Sequence, residues 1–278
     1  MPRQRLTTAI VFGLILLVSP SAWAFELNQD LFNAATQTLA TQLQDDKSAE
    51  AEEVAVGRQI AGNLLGAAAL VKDKALQKYV NQVGRWVANQ SERPDLAWHF
   101  GVIDSPDLNA FAAPGGYIFV TKGLYKLLKN EAELAGVLAH EVGHVVRKHH
   151  YKVIQQAKVI DFGSKLLAEK AGSDNQLIQQ LIGSGAEIVA RSLDKRAEYE
   201  ADRMGVVLAA RAGYDQYGLV EVLQQMGHYS GEDDSVKLLF KTHPHPDERL
   251  SSLDESLGDK LDDLHGETLP GRLYKLKK

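Results

Sequence analysis

The chain has 278 residues, of which 45% are hydrophobic and 24% charged, and it contains no cysteine. This composition excludes collagen-like, low-complexity and largely disordered classes, and the lack of cysteine excludes a disulfide scaffold, a thiolate zinc cluster and a cysteine nucleophile. The net charge of −5, without long blocks of either sign, argues against a nucleic-acid partner.

The first 24 residues have the features of a secretory signal. Arg3 and Arg5 supply a positive start, an apolar run of about ten residues follows at Ala9–Val18, and Ala22-Trp23-Ala24 is a small-residue cleavage site. A membrane anchor is the alternative, but this run is well short of the roughly 20 residues that span a bilayer, and no later segment is long and apolar enough. We therefore expect residues 1–24 to be removed and the remainder to be exported, into the periplasm if the source is Gram-negative.

Helical periodicity, with apolar residues three and four positions apart, dominates the chain on both sides of a short β-rich block. Before the block, it covers Asn28–Leu43, Ala49–Leu70 and Asp73–Val87. The block contains three short runs rich in β-branched and aromatic residues, Trp98–Ile103, Leu108–Ala113 and Tyr117–Thr121. Because short connections join the three runs, we expect a small antiparallel sheet within a mainly α domain.

Helical patterns continue after the block almost to the C-terminus. Asn130, with Glu133 three residues later, is an N-cap arrangement that opens a helix. Another long helix is predicted over Glu187–Ala210, whereas Thr242–Asp247 contains two prolines and is predicted to be irregular.

The sequence contains no internal repeat, and these patterns predict a single domain followed by a short tail. Residues 25–265 are predicted to form one α+β domain. Residues 266–278 are basic and are interpreted as a solvated tail.

His140-Glu141-Val142-Gly143-His144 reads H-E-x-x-H inside a segment that is independently predicted to be helical. At 3.6 residues per turn, side chains four positions apart leave the same face of a helix, so His140 and His144 can bind one Zn²⁺ ion together. Glu141 lies one position round the helix, where it can reach a water on the metal and act as general base. The motif therefore predicts a zinc-dependent hydrolase.

A catalytic zinc needs a third protein ligand, and this ligand decides the class. His150 has the spacing of a third histidine, but Arg147 replaces the glycine that would turn the chain, and in a continuous helix His150 would face away from His144. A carboxylate is the other option. Pairs of the form E-x-x-x-D occur at Glu26/Asp30, Glu198/Asp202 and Glu255/Asp259.

We favour the middle pair, although the pattern by itself is weak. The first pair lies almost at the mature terminus and a glycine interrupts the third, whereas small Ala201 and Gly205 would let the middle helix pack closely against the H-E-x-x-H helix. Glu198 would then be the third zinc ligand, and Asp202 would accept a hydrogen bond from a ligand histidine and fix its tautomer. For each carboxylate, a solvated helix position is the alternative.

Several motifs occur in the order that a known family shows: Asn109–Gly116 before a strand, His140–His144, Glu198–Asp202, and His243-Pro244 with Arg249. On these motifs, which span about half of the chain, it resembles the HtpX-like family of gluzincin metallopeptidases, which includes the CAAX prenyl protease and the Oma-type and BepA-type proteases. The resemblance implies a zincin-like metalloprotease domain in which His140, His144 and Glu198 bind one zinc ion and Glu141 is the base.

The chain departs from the family in two respects. Membrane-embedded members carry several spanning helices, which are absent here, so processing of prenylated proteins within a bilayer is not expected. Exported BepA-type members carry a C-terminal helical-repeat domain, for which this chain ends too early. We therefore expect the protease domain alone, without partner recognition through such repeats.

His243 has two candidate roles. In BepA-type relatives the matching histidine can approach the zinc and hold the site closed, so His243 would be a removable fourth ligand; alternatively, it would donate a hydrogen bond to the developing oxyanion. Pro244 and Pro246 would stiffen its loop in either case. A loop histidine without a role is the third interpretation. Arg249 would support either the loop or the oxyanion.

Asn109, Ala110, Phe111 and Ala112 form the candidate substrate-binding strand. A strand just before the active-site helix can bind an extended substrate by β-augmentation, in which backbone groups pair and side chains matter little; an ordinary internal strand is the alternative. Such pairing suits the clearance of unfolded or misfolded exported proteins. The predicted function is therefore a zinc metalloendopeptidase of envelope protein quality control, acting beside the envelope assembly machinery.

The competing functional class is a zinc-stabilised binding or chaperone-like module without proteolysis. A structural zinc site closes all four positions with protein ligands, whereas three ligands leave one position open. The sequence lacks neither the base nor a ligand, so it favours the enzyme.

Overall fold

The structure is a computed structural model, and it describes residues 46–156, 193–230 and 233–276. The predicted signal at residues 1–24, the predicted helix Asn28–Leu43 and the start of the predicted helix Glu187–Ala210 lie outside the described residues. Residues 51–278 group into one compact unit.

The described residues are mainly helical. The helices are α1 (46–67), α2 (Lys74–Ala88), α3 (Lys122–Leu127), α4 (Glu131–Val146), α5 (149–156), α6 (Lys195–Arg211), α7 (Gly218–Gly227), α8 (Lys237–Thr242) and α9 (Pro246–Leu257), and the strands are β1 (His99–Ile103), β2 (Ala110–Ala113) and β3 (Tyr117–Thr121). The expected mainly α fold with a small sheet is therefore confirmed. Within the described ranges, none of the helices combines the length and the apolarity needed to cross a bilayer.

The three strands form a mixed sheet in the order β1-β3-β2. β2 and β3 are antiparallel and joined by a tight turn, in which Gly115 and Gly116 have φ angles of 74° and 96° that favour glycine. β1 runs parallel to β3, so the prediction that all three strands are antiparallel was wrong. The reason is topological: the chain leaves β1, forms β2 on the far side and returns through the middle, so β2 itself supplies the long connection that a parallel pair requires.

α4 is the central helix of the fold and packs against both α6 and the sheet. Asn130 caps its start as predicted, because Asn130 Oδ1 accepts a hydrogen bond from Glu133 N at 2.8 Å. α6 approaches so closely that a side chain on Gly205 would begin 2.9 Å from His140 N, and Ala201 is fully buried at the same crossing. The close packing predicted for these two small residues is therefore present.

Residues 266–276 lie against the domain, although the sequence is interpreted as a solvated tail there. The carbonyls of Thr268 and Leu269 accept hydrogen bonds from the first N–H groups of α4, at Ala132 (3.1 Å) and Glu131 (3.4 Å). Apolar side chains of the segment pack on the main core. The basic charge misled the interpretation, because these apolar side chains and the unpaired N–H groups at the start of α4 hold the segment in place.

Candidate metal centre

Four largely buried side chains from three helices converge in one cluster. His140 and His144 stand one turn apart on α4, Glu198 lies in the first turn of α6, and His243 is the C-cap of α8. One nitrogen or oxygen atom of each side chain lies within 4.8 Å of the corresponding atoms of the other three. The fold thus brings together motifs that are distant in the sequence.

The distances in the cluster fit a metal ion. His140 Nε2 and His144 Nε2 lie 3.0 Å apart, and they lie 3.7 and 3.5 Å from the two oxygens of Glu198. Ligand atoms around a tetrahedral zinc at about 2.0–2.1 Å are separated by about 3.3 Å, close to these values. Glu198 Oε1 is buried and accepts no hydrogen bond within the described residues, although such atoms normally have a partner. This donor set can therefore hold a divalent ion, and zinc suits it.

His140 has a second partner at its other ring nitrogen. His140 Nδ1 lies 2.8 Å from Asp202 Oδ1, and Asp202 accepts two hydrogen bonds from Arg249, one from Nε at 2.9 Å and one from Nη2 at 2.5 Å. Burial would raise the pKa of Asp202, but Arg249 and His140 hold that pKa well below its usual range. Asp202 is thus an anionic carboxylate within hydrogen-bond distance of His140 Nδ1, and such a partner can hold a proton on Nδ1 and leave Nε2 for a metal.

Glu141 lines a small cavity beside the cluster, together with His140, His243, Arg249 and Ala110. Its side chain is almost completely buried. Burial raises the pKa of the Glu141 carboxyl above its usual range, against the opposing effect of His140. A carboxyl with a raised pKa is suited to accept and return a proton near neutral pH.

His243 contacts one of the candidate ligands directly, since His243 Nδ1 lies 2.6 Å from Glu198 Oε2. Burial would lower the pKa of His243, but the Glu198 carboxylate raises it. Burial would likewise raise the pKa of Glu198, and His243 lowers it. The structure therefore places His243 inside the cluster and pairs it electrostatically with Glu198.

β2 lies at one edge of the sheet, and its first residue, Ala110, lines the cavity beside Glu141. β3 pairs with one side of β2, and within the described ranges no strand pairs with the other side. The side chains of Ala110–Ala113 are buried, as is Asn109, whose carbonyl accepts a hydrogen bond from Thr121 N. The candidate substrate strand, which includes Phe111 and Ala112, thus has the position of an edge strand in the described sheet.

The chain turns sharply after α4, which the sequence did not reveal. α4 ends at Val146, Lys148 has a φ of 57°, and α5 begins at residue 149. The turn buries His149 and His150, whose ring centroids lie 5.1 and 5.5 Å from that of His144. The expectation that His150 faces away assumed a continuous helix, and it was wrong. The helix breaks at a left-handed residue, Lys148, and no glycine or proline there signals the break in the sequence. His150 nevertheless lies outside the candidate ligand cluster.

Comparison with known proteins agrees with this geometry. Residues 74–257 match the model of peptidase family M48. The beta-barrel assembly-enhancing proteases of Yersinia pestis and Escherichia coli (strain K12) are 30% and 29% identical to the chain over 213 and 212 residues, which make up 72% of this chain and 43% and 42% of those proteins. The mitochondrial metalloendopeptidase OMA1 of Schizosaccharomyces pombe is 29% identical over 197 residues, which make up 69% of this chain and 58% of that protein.

The chain therefore spans less than two thirds of the length of these relatives. The region that matches the family model includes the sheet, the H-E-x-x-H helix, and the helices that carry Glu198 and His243. With this match covering more than half of its residues, the chain belongs to peptidase family M48.

Proposed function

We propose that this chain is a zinc metalloendopeptidase that hydrolyses internal peptide bonds of unfolded or misfolded exported proteins. The observation that carries the proposal is the meeting of His140, His144 and Glu198 at one point, beside the buried carboxyl of Glu141. Membership of a peptidase family supports the same activity. In this proposal one zinc ion per chain is held by the two Nε2 atoms and by Glu198.

A zinc ion held by these residues supplies Lewis-acid activation of water and of the scissile carbonyl. Glu141 takes a proton from the attacking water and delivers it to the leaving nitrogen, for which its buried carboxyl is suited. Asp202 accepts the Nδ1–H of His140 and thereby directs the Nε2 lone pair into the cluster. Arg249 acts through Asp202, which it holds in place with two hydrogen bonds.

His243 is proposed to act on the site in one of two ways. Its contact with Glu198 and its position among the candidate ligands support a removable fourth ligand that keeps the site closed. Its position in the cavity beside Glu141 supports a hydrogen-bond donor to the oxyanion instead. His243→Ala separates the two roles, because casein cleavage rises if the histidine blocks the site and falls if it stabilises the transition state.

The substrate is proposed to bind in extended form along the outer edge of β2, from Asn109 to Ala112. This edge ends beside Glu141 through Ala110, and pairing of backbone groups accepts many sequences. Two relatives are named for enhancing β-barrel assembly, which supports substrates among misfolded envelope proteins and contact with the assembly machinery. The signal-like residues 1–24 support export to the periplasm.

The decisive test compares Glu141→Gln with the wild type in zinc content and in cleavage of unfolded casein. We expect cleavage to fall by at least about 100-fold because the base is lost, and zinc content to stay the same because Glu141 is not a ligand. Glu133→Gln is the matched control, since Glu133 is another fully buried glutamate of α4 outside the cluster, and it should keep wild-type activity.

Two outcomes would contradict this proposal. Equal cleavage by the wild type and Glu141→Gln would remove Glu141 as the base. Zinc binding by a wild-type chain that cleaves no casein would favour the chaperone-like module.

A further inference from the structure

His144 has a chain of polar partners that differs from the Asp202–Arg249 pair at His140. His144 Nδ1 lies 3.0 Å from His149 Nδ1, and His149 Nε2 lies 3.4 Å from Glu200 Oε2. The other oxygen of Glu200 is 3.0 Å from the guanidinium of Arg147, and both of these side chains are nearly half exposed. A continuous line of polar atoms thus runs from a candidate zinc ligand to the surface.

The tautomers give these hydrogen bonds a direction. If His144 binds zinc through Nε2, its neutral ring carries a proton on Nδ1 and must donate it. His149 Nδ1 then accepts, which places the proton of a neutral His149 on Nε2, facing the Glu200 carboxylate. Each group therefore donates to the next, and the last acceptor is an anion.

The backbone turn that presents His149 is held by ion pairs to one buried carboxylate. Lys148 is a non-glycine residue in the left-handed region, a backbone conformation that is strained for a residue with a Cβ. The fully buried carboxylate of Glu53 lies 3.3 Å from Lys148 Nζ and accepts two hydrogen bonds from Arg93, at 2.9 and 3.1 Å. Arg93 also donates to the Val145 carbonyl at the end of α4, at 3.3 Å. The surrounding structure thus fixes a strained turn that aims His149 at His144.

We infer that His149 is a positioning residue of the metal centre, which accepts the Nδ1–H of His144 and thereby fixes the orientation and tautomer of that ligand, with Glu200 as its own acceptor. The inference rests on the proposed function, because it assumes that His144 binds zinc. Outer partners of ligand histidines typically contribute 10–100-fold to metal affinity. His150 provides the contrast: it is equally buried and its ring lies close to His144, but its Nδ1 makes no hydrogen bond within the described residues.

The test measures the zinc affinity of the purified chain by competition with a chromophoric chelator. His149→Phe keeps a ring but removes the acceptor, and we expect it to weaken zinc binding by about 10–100-fold. His149→Gln retains an acceptor and should recover part of this loss. His150→Phe makes the same exchange at the adjacent buried ring and should leave the affinity near the wild-type value.

A second pair of variants lies at the surface, where folding is not at risk. Glu200→Ala removes the last acceptor and should weaken zinc binding by about 10-fold, the lower end of that range. Glu248→Ala removes a carboxylate of similar exposure that is also paired with a cation, and it should have no effect. If His149→Phe does not fold, the zinc affinities of Glu200→Ala and Glu248→Ala test the inference instead, and equal affinities would overturn it.

Equal zinc affinities of the wild type and His149→Phe would overturn the inference, and so would equal losses in His149→Phe and His150→Phe. Either result, with a measurable wild-type affinity, leaves the proposed function intact. A wild-type chain that binds no zinc would instead refute the proposed function, and the inference with it.

Discussion

Asp202 and Arg249 form an ion pair that is withdrawn from water beside His140, with residue exposures of 1% and 4%. The two hydrogen bonds between them match the fork of the guanidinium to the carboxylate. Removing an ion from water costs several kcal/mol, so either charge is tolerated here only because the other is present. The pair therefore fixes the position of Asp202 more than it adds to net stability.

Asp202→Asn should lower the free energy of unfolding of the zinc-free protein by about 3–5 kcal/mol, because it strands the buried charge of Arg249. The double variant Asp202→Asn/Arg249→Met should recover much of this loss, since it removes the stranded charge as well. Urea unfolding at neutral pH measures both effects. A double variant as unstable as the single one would contradict this account of the pair.

At the scale of elements, Glu131 connects α2, α4, the turn after α6 and the C-terminal segment. Its buried carboxylate accepts hydrogen bonds from Tyr79 (2.9 Å) and Tyr214 (3.0 Å) and pairs with Arg272 (3.0 Å). Burial raises the pKa of both tyrosines above its usual range, and Glu131 adds to the effect. Each hydroxyl must keep its proton to donate, so the network requires neutral tyrosines.

The free energy of unfolding should therefore fall as the pH rises above about 10. The tyrosines of the unfolded chain lose their protons near that pH, whereas Tyr79 and Tyr214 of the folded chain keep theirs, so deprotonation favours the unfolded state. The stability that the raised pKa values of Tyr79 and Tyr214 contribute is fully present below the pKa of tyrosine in the unfolded chain. It is lost as the pH rises towards the pKa of these tyrosines in the folded chain.

Urea midpoints between about pH 9 and 11 measure this dependence. Tyr214→Phe should make it shallower, because it removes one of the raised tyrosine pKa values, that of a direct partner of Glu131. Tyr229→Phe, at a tyrosine outside the network, should leave it unchanged. The same pH dependence in the wild type and in both variants would mean that the Glu131 network contributes nothing.

At the scale of the whole molecule, the sequence predicted the parts of the site that depend on local pattern. The spacing of His140 and His144 fixes two imidazoles on one helix face, whatever the rest of the fold does. The lack of a side chain at Gly205 and the small side chain of Ala201 predicted the helix crossing that brings Glu198 to them, and the close contact at Gly205 is present.

The features that the sequence did not reveal depend on non-local contacts. The parallel pairing of β1 depends on which side of β3 it joins, and neither strand propensity nor connection length encodes that choice. The turn at Lys148 contains no glycine and is held by Glu53, far earlier in the chain. The C-terminal residues 266–276 look like a basic tail, yet their carbonyls cap α4, a role that needs no particular side chain.

Zinc is expected to stabilise the whole fold, because its proposed ligands lie on α4 and α6, which the unfolded chain does not hold together. An ion that binds only the folded state adds about 1.4 kcal/mol for each tenfold rise in free zinc above its Kd. Removing zinc with EDTA should therefore lower the Tm, and adding zinc back should restore it in proportion to the logarithm of its concentration.

Two variants assign this stabilisation to the proposed site. Glu198→Ala should lose the zinc dependence of the Tm, since it removes the only proposed ligand on α6. Glu141→Gln should keep it, because Glu141 is proposed as the base and not as a ligand. If the Tm of Glu198→Ala still follows zinc, Glu198 is not needed to hold the stabilising ion, and the buried contact between α4 and α6 at Gly205 holds these two helices together without it.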